Sequence, residues 1–281
     1  AIPLMRGKHV SKTIEALVEE ARSLAKKGVK EIMLIAQELT YYGLDIYKER
    51  ALPTLLHALC AIDGIEWIRL HYAYPHKFPL DIIEVMKAEP KICNYLDIPL
   101  QHISDKMLLA MKRQITRKEI VSLIHDIRKI LPNICIRTTF IAGFPGETDE
   151  DVDDLISFLE DVQFDRVGVF TYSHEEDTSA YTLEDTISAE EKEERAQRIM
   201  SAQQDISLAK NVEKIGKVYK VIIDKKEAGR YIGRTEMDSV EVDNEVIIST
   251  SKKLKPGNFV FAKITKAYDY DLEAELVDLI T

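Results

Sequence analysis

Short apolar runs of strand length alternate with stretches of helical spacing over most of the chain, and this alternation limits the fold more than any other feature. Residues 14–25 carry apolar side chains at helical spacing, Gly28 ends the segment, and the continuous apolar run at 31–36 follows. Similar strand-like runs follow helical segments at 67–73, 95–100, 134–144 and 166–173. Strands joined through helices predict a parallel sheet covered by helices. An open doubly wound sheet and a complete or partial barrel both fit five such strands.

Two of the helices carry a start signal in the sequence. A helix over 116–131 opens with the capping-box pattern Thr116-x-x-Glu119, and the last helix of this part opens with Ser188 followed by Glu191 and runs to about Lys214.

The pattern of apolar and turn residues changes after about Leu208. Short alternating or β-branched runs are separated by Gly, Asn and Asp turns, which predicts a small all-β barrel of about five strands. We therefore expect two domains, 1–208 and 209–281. The runs are VYKVIIDKK, RYIGRTE, SVEVDNEVIIST and FVFAKITKAYDYDLEAEL.

The charge of the chain is acidic, and the acid is unevenly distributed. The net charge is −10, with 26 Lys and Arg against 35 Asp and Glu before Asn211 but 12 against 13 from Asn211 onward. Such a surface disfavours bulk binding of nucleic acid and suits a basic partner, although a merely well-solvated acidic protein fits the charge equally well. No apolar stretch approaches the roughly 20 residues of a membrane helix, so we expect a cytoplasmic protein.

The three cysteines, Cys60, Cys93 and Cys135, lie far apart among apolar neighbours. This spacing matches neither a disulfide framework nor a zinc or iron–sulfur ligand set. We expect all three to be core thiols, and the chain to hold no metal.

Ligands of parallel α/β folds bind at the carboxyl ends of the strands, so the loops there are candidate sites. The loop IAGFPGET at 141–148 contains Gly143 and Gly146, which allow close approach of a ligand, and Glu147 near the start of a helix. It lacks the phosphate-binding lysine and the GxGxxG spacing. Taken alone, the loop fits a packing turn better than a site.

Polar residues follow three of the other strands. Gln37 and Glu38 either accept hydrogen bonds from an ammonium group or cap a helix at the surface. Gln101 and His102 follow the third strand, where a structural histidine is the better interpretation of His102. Tyr172 and Ser173 end the last strand before an acidic loop, and a tyrosine there fits the rim of the core as well as it fits a site.

Arg137 interrupts a strand that is otherwise apolar or threonine. A buried arginine needs an anionic partner, so Arg137 either binds a ligand carboxylate or ribose, or pairs with a structural acid. No nucleophile–base pair, zinc triad or phosphate loop accompanies these residues, and the catalytic residues are not assigned.

Taken together, ordered motifs along the whole chain resemble those of the radical S-adenosylmethionine methylthiotransferases. The resemblance is strongest to the RimO group, which modifies the β-carbon of an aspartate in a small-subunit ribosomal protein. The motifs are AIPLMRGKHVS, LIAQELTYYGLD, YLDIPLQHISDKMLLAMKR, FIAGFPGETDED and YSHEEDTSAYTLED.

The resemblance implies a fold and cofactors. The family fold is a partial six-module (β/α) barrel followed by a TRAM domain, and its members use S-adenosylmethionine and two [4Fe–4S] clusters. In the family, three cluster cysteines directly precede the segment that resembles Ala1–Pro3, and an N-terminal domain carries the second cluster. We therefore expect this chain by itself to hold no cluster and to be inactive.

The resemblance also implies a cofactor site. We expect the methionine end of S-adenosylmethionine near Gln37, Glu38 and Arg137. The adenosine end is expected against Ala1, Ile2, Pro3, Gln101, Gly143, Gly146, Glu147, Tyr172 and Ser173.

The alternative within the family is a MiaB-like tRNA adenosine methylthiotransferase. That group has a Val-Pro-Tyr-Thr-Arg-Gly-like start, a Gly-Gln-Asn-like loop and Gln-Ser-Gly where this chain has AIPLMRG, AQEL and Gln101-His102-Ile103. A cluster-free protein- or RNA-binding module is the alternative from another class. The expected partner is a basic loop of a ribosomal protein, with contact to the ribosome or RNA through the TRAM domain.

Overall fold

The computed structural model describes Gly7 and residues 9–278. Its first part alternates helices and strands, with a short 3-10 helix at Leu39–Tyr41. In chain order the elements are α1 (Ile14–Lys26), β1 (Glu31–Leu34), α2 (Leu52–Cys60), β2 (Trp67–Leu70), α3 (Asp81–Ala88), β3 (Ile92–Asp97), α4 (Asp105–Ala110), α5 (Arg117–Ile130), β4 (Cys135–Ala142), α6 (Asp149–Val162), β5 (Arg166–Thr171) and α7 (Ala189–Val212).

Strands β1 to β5 form one parallel sheet in sequence order. Because crossovers between parallel strands are right-handed, this order places the connecting helices on one face of the sheet. Aliphatic side chains from that face and from the helices form the main hydrophobic core. The opposite face carries polar side chains such as Arg69 and Arg137, together with an apolar cluster that includes Trp67, Cys93 and Cys135. The predicted partial (β/α) barrel is confirmed.

The second part is a closed five-stranded barrel with the strand order β10-β8-β7-β6-β9. Its own apolar core is separate from that of the sheet. The predicted small all-β barrel is therefore also confirmed. Its strands are β6 (Val218–Glu227), β7 (Arg230–Thr235), β8 (Val246–Ile248), β9 (Phe259–Ala267) and β10 (Leu272–Leu276).

The helix starts follow the sequence signals closely. Thr116 and Glu119 form both hydrogen bonds of a capping box at the start of α5. Ser188 accepts the backbone N–H of Glu191 at the start of α7, which is one half of the predicted box. Thr148 caps α6 with a complete box that the sequence analysis did not identify.

Three local features differ from the prediction. The third strand lies at Ile92–Asp97, about three residues before the predicted run at 95–100, because Pro99 cannot donate to a ladder. The short helix α4 follows that strand and was not predicted. The run predicted as one strand at 239–250 contains a strand only at Val246–Ile248, and residues 236–245 form a loop.

Helix α7 passes through position 208 and ends at Val212, directly before the small barrel. The division of the chain into domains 1–208 and 209–281 stays a prediction. Within residues 9–278, no helix combines the length and apolar character that crossing a membrane requires.

Candidate functional site

A cavity of about 690 Å³ opens at the carboxyl ends of the sheet strands. Because parallel strands end at the same edge, this is where ligands of such folds bind. The cavity brings together six of the predicted site residues, which are Gln37, Glu38, Gln101, Arg137, Tyr172 and Ser173. Its remaining lining comprises Tyr72, Ala73, Tyr74, Asp97, Pro99, Arg113, Thr139, Ile141, Phe170, Thr171 and Val242.

Glu38 has the capping role considered for it, and its part in binding an ammonium group stays a prediction. Its Oε1 accepts the backbone N–H of Thr40 at 2.8 Å, which caps the 3-10 helix, while the side chain also lines the cavity. Burial raises the pKa of Glu38 even though hydrogen bonds from Thr40 and Tyr74 oppose this shift. A partly desolvated carboxylate of this kind gains by pairing with a ligand ammonium group.

Gln101 occupies a strained backbone position at the cavity wall. Its φ of +76° lies in the left-handed region that side chains other than glycine rarely adopt. Its N–H donates to the Thr139 carbonyl at 2.8 Å and its carbonyl accepts the Ile141 N–H at 2.9 Å. These two bonds to β4 hold the strained residue, as is common at functional sites.

Arg137 contacts two carboxylates. Its Nη1 donates to Asp97 Oδ1 at 3.2 Å, and its Nε lies 3.4 Å from Asp243 Oδ1 in the small barrel. Burial lowers the pKa of Arg137, but Tyr95 and the two acids raise it overall. Arg137 therefore pairs with structural acids through Nη1 and Nε, as one of its two interpretations expected. Within residues 9–278, Nη2 has no hydrogen-bond acceptor and stays available to a ligand.

Arg113 lines the same cavity and was not singled out from the sequence. The guanidinium stacks 4.5 Å from the Tyr74 ring centroid, and Nη2 donates to the Pro99 carbonyl. Its buried Nε has no partner, and no carboxylate oxygen lies within 4 Å among the described residues. Burial lowers the pKa of Arg113, since Tyr74 and Glu38 compensate only in part. A half-buried cation with no ion-pair partner among the described residues favours an anionic ligand group.

No signal in the sequence separates Arg113 from an ordinary solvated arginine. It stands in the polar stretch KRQ after the short helix α4, and its position over the cavity depends on the turn that follows that helix.

The cavity lining includes Ile141 of the glycine loop but not its residues 142–148. Glu147 is buried, and its Oε1 accepts the Gly143 N–H at 2.9 Å and an Arg195 N–H at 3.1 Å. Its Oε2 lies 3.4 Å from His102 Nε2. The part of Gly143, Gly146 and Glu147 in adenosine binding stays a prediction, and Ala1, Ile2 and Pro3 lie outside the described residues.

His102 has a structural role, as its sequence context favoured. The side chain is fully buried, and Nδ1 accepts the backbone N–H groups of Ile103 and Ser104 at 2.9 and 3.0 Å. These bonds place the proton on Nε2, which faces the Glu147 carboxylate.

Tyr172 and Ser173 form the side of the cavity next to the acidic loop. The Tyr172 ring packs against Phe144 at 5.0 Å between centroids, and Lys192 Nζ lies 5.1 Å from the Tyr172 centroid. Burial and the charges of Asp185 and Glu175 raise the pKa of the Tyr172 hydroxyl. Tyr172 therefore combines rim packing with a cavity-facing position.

The cysteines do not fit an iron–sulfur cluster. All three are buried and separate, and burial is the main reason that the pKa of Cys60 and of Cys93 is raised to about 12. Within the described residues, no group of three His, Cys, Asp or Glu side chains could hold a metal ion. We derive no reaction step through a cluster on this chain.

The cavity instead fits a cofactor that carries an amino-acid group. The Arg113 guanidinium, the Glu38 carboxylate and aromatic side chains line one space. Arg113 has no ion-pair partner among the described residues, and burial raises the pKa of Glu38. A zwitterionic ligand such as S-adenosylmethionine offers both the anion and the cation that these groups lack.

Comparison with known families identifies the α/β part. The model of the radical SAM superfamily matches residues 2–159, which is more than half of the chain. The chain belongs to the radical SAM superfamily. The TRAM domain model matches residues 215–277, which cover the small barrel.

Within the radical SAM superfamily, the chain is similar to ribosomal protein uS12 methylthiotransferases named RimO. It is 57% identical over 276 residues to the protein of Flavobacterium psychrophilum, with 98% of this chain and 64% of that protein covered. It is 49% identical over 280 residues to the protein of Bacteroides thetaiotaomicron, with 99% of this chain and 64% of that protein covered. The chain thus spans about 64% of the length of these relatives.

A solved radical SAM enzyme has a similar fold. Coproporphyrinogen III oxidase (HemN) from Escherichia coli superposes with a TM-score of 0.55 at 16% identity, over 79% of this chain and 59% of that chain. At this identity the similarity concerns the fold alone.

Proposed function

We propose that this chain is the radical SAM and TRAM part of a methylthiotransferase that modifies ribosomal protein uS12. The modified atom in this proposal is the β-carbon of an aspartate. The observation that carries the proposal is similarity to RimO proteins over almost the whole chain, at 57% identity for one of them. The cavity at the strand ends supports it, because its unpaired groups suit the amino-acid end of S-adenosylmethionine.

Arg113 is the residue that we assign to the carboxylate of S-adenosylmethionine. Its unpaired Nε gains a charge-assisted hydrogen bond when an anion enters the cavity. Glu38 is assigned to the ammonium group because its carboxylate is partly desolvated. Arg137 offers Nη2 to an oxygen-bearing group of the ligand while Asp97 and Asp243 hold its other edges.

Bound S-adenosylmethionine supplies the methyl group and, in this family, the radical that abstracts hydrogen from an unactivated carbon. The chain contributes binding, orientation and shielding. Gln101, held by its two backbone bonds to β4, and Tyr172 on the opposite side form the walls between which a ligand is oriented.

The charge distribution supports a basic protein substrate. The acidic excess belongs to the α/β part, and Glu175, Glu176 and Asp177 are exposed beside the cavity. Complementary charge raises encounter rates with a Lys- and Arg-rich loop and repels phosphate backbones.

The decisive experiment uses the full-length gene product, reconstituted anaerobically with iron and sulfide, and offers it uS12 and tRNA in separate reactions. Mass spectrometry of both products should locate a methylthio group on the uS12 aspartate and none on tRNA. A methylthio group on tRNA adenosine, with uS12 unmodified, would overturn the proposal. Modification of neither substrate under conditions that cleave S-adenosylmethionine would do the same.

A further inference from the structure

The face of the sheet opposite the helices carries buried charged side chains, such as Arg69 and Arg166, beside the apolar Trp67, where a packed barrel would be apolar throughout. The loop of the small barrel between β7 and β8, residues 236–245, contacts residues in or next to β2, β3, β4 and β5. We call it the plug loop. The polar sheet residues that contact it are Arg69, His71, Asn94, Tyr95, Arg137 and Arg166.

Residues 236–239, at the base of the plug loop, form hydrogen bonds with polar sheet residues that lie below the cavity. Asp238 is fully buried and accepts from Arg166 Nε at 3.1 Å, and the Glu236 carbonyl accepts from Arg69 Nη1 at 2.7 Å. Ser239 Oγ lies 3.1 Å from His71 Nε2. Since an unpaired buried charge is costly, Asp238 stabilises the buried Arg166, whereas Arg69 also pairs with Glu31 of β1.

Asp243 lies higher on the plug loop and connects it to the cavity. Its Oδ2 accepts the Tyr95 hydroxyl at 2.8 Å and the Ser239 N–H at 2.9 Å, while Oδ1 lies 3.4 Å from Arg137 Nε. Arg137 in turn bonds Asp97, and both Arg137 and Asp97 line the cavity. One carboxylate of the small barrel thus fixes a cavity-lining guanidinium.

Val242, the residue before Asp243, reaches the cavity itself. Val242 lines it and is 57% exposed. Glu241, with a φ of +65°, turns the chain at this tip. The tip of the plug loop therefore forms part of the cavity surface.

We propose that the plug loop completes the cofactor site and that Asp243 is a positioning residue acting through Arg137. This inference rests on the proposed function, and it assigns to the small barrel a role in ligand binding at the sheet. Without the Asp243 charge, Arg137 keeps only Asp97 as an anchor, and Nη2 no longer has a fixed direction toward a bound ligand.

The test measures binding of S-adenosylmethionine by isothermal titration calorimetry, using the reconstituted full-length gene product. Asp243→Asn preserves the acceptors for Tyr95 and Ser239 but removes the charge beside Arg137. We expect its dissociation constant to rise about fivefold or more. Glu245→Gln is the matched control, because Glu245 lies on the same loop and pairs with Lys225 at the surface. It should bind as the wild type does.

A double-mutant cycle separates positioning from general destabilisation. If Asp243 acts through Arg137, adding Asp243→Asn to Arg137→Gln should cause no further loss of affinity. Hydrogen exchange should also show protection of the plug-loop amides when S-adenosylmethionine binds to the wild type.

Three outcomes would overturn the inference. They are unchanged affinity in Asp243→Asn, a full additional loss in the double variant, and equal losses in Asp243→Asn and Glu245→Gln. Failure of the wild type to bind S-adenosylmethionine at all would instead overturn the proposed function, and this inference with it.

Discussion

Gly143 leaves the space that the side chain of Lys192 occupies. A Cβ atom at Gly143 would meet the Lys192 stem, lying 2.9 Å from its Cβ and closer still to its Cγ. Lys192 has little freedom to move away, because its Nζ bonds Asp185 at 2.6 Å and lies over the Tyr172 ring. The glycine loop is thereby fixed to helix α7 beside the cavity.

We expect Gly143→Ala to lower the free energy of unfolding by about 2 kcal/mol or more, since it adds a clash to a left-handed φ of +76°. Gly146→Ala is the control, because its φ of +84° is equally unfavourable but nothing lies within 4 Å of the added carbon. It should cost only about 1 kcal/mol. Urea unfolding measures both, and equal losses would contradict the packing argument.

Arg113 should show opposite effects on stability and on binding. Replacing it with Gln removes a half-buried cation that has no ion-pair partner in the described structure, so unfolding stability should stay the same or rise. Affinity for S-adenosylmethionine should fall about tenfold or more, as expected for loss of a hydrogen bond to a charged group. Arg128→Gln, which removes an arginine bonded to the Val162 and Gln163 carbonyls, should leave the affinity unchanged. Unaltered binding by Arg113→Gln would refute the assignment.

The contrast between Arg113 and Arg137 shows how far the sequence could predict the site. The strand pattern located Arg137 because a charge inside an apolar strand is conspicuous, but it could not reveal that Asp243 of another domain pairs with it. Arg113 follows a short helix that the periodicity did not resolve, so nothing marked it as buried.

The fold was more predictable than the site because it depends on local patterns. The five strands and their helices follow from apolar periodicity and capping residues, which act within a few positions. Most of the plug loop lies in the run SVEVDNEVIIST, whose alternation is typical of strands. Asp238 instead pairs with Arg166, 72 positions earlier, and Asp243 with Arg137, 243 − 137 = 106 positions earlier, so only the assembled fold brings these charges together.

Asp238 should be the most sensitive acid of the plug loop. Asp238→Asn leaves Arg166 buried without a counterion, and we expect a loss of about 3 kcal/mol or more in unfolding stability. Asp278→Asn removes an exposed pair with Lys252 and should change stability by less than about 0.5 kcal/mol. The single tryptophan, Trp67, packs against Phe259 of the small barrel at 4.8 Å between centroids, so its emission reports whether the domains separate. Similar losses in the two variants would argue against the pair.

Low pH should destabilise the protein by protonating buried carboxylates such as Asp238 and Asp97. Burial alone would raise the pKa of Asp238, but Arg166 and Lys214 lower it overall, and the pKa of Asp97 is lowered by His71 and Arg137 in the same way. A folded-state pKa below the unfolded value of 3.8 gives stability that is fully present above about pH 4 and is lost as the pH falls through the folded value.

Urea midpoints measured from pH 6 to pH 2.5 should therefore be level at first and fall below about pH 4. In Asp238→Asn the fall should be shallower, because one of the responsible carboxylates is gone. The same slope in the variant and the wild type would show that Asp238 does not contribute.

The three cysteines give the last prediction, which concerns iron as well as thiol chemistry. Burial, assisted by Glu89, raises the pKa of the Cys60 thiol to about 12, and burial likewise raises the pKa of Cys93 to about 12 and that of Cys135. The thiolate is the reactive and metal-binding form, so the folded chain should react with no equivalent of a thiol reagent at pH 8 and with three after denaturation. For the same reason, anaerobic incubation of this 281-residue chain with iron and sulfide should leave no stoichiometric cluster after desalting. Rapid labelling of the folded chain would contradict the burial of the thiols, and stoichiometric iron and sulfide would contradict the prediction that these cysteines ligate no cluster.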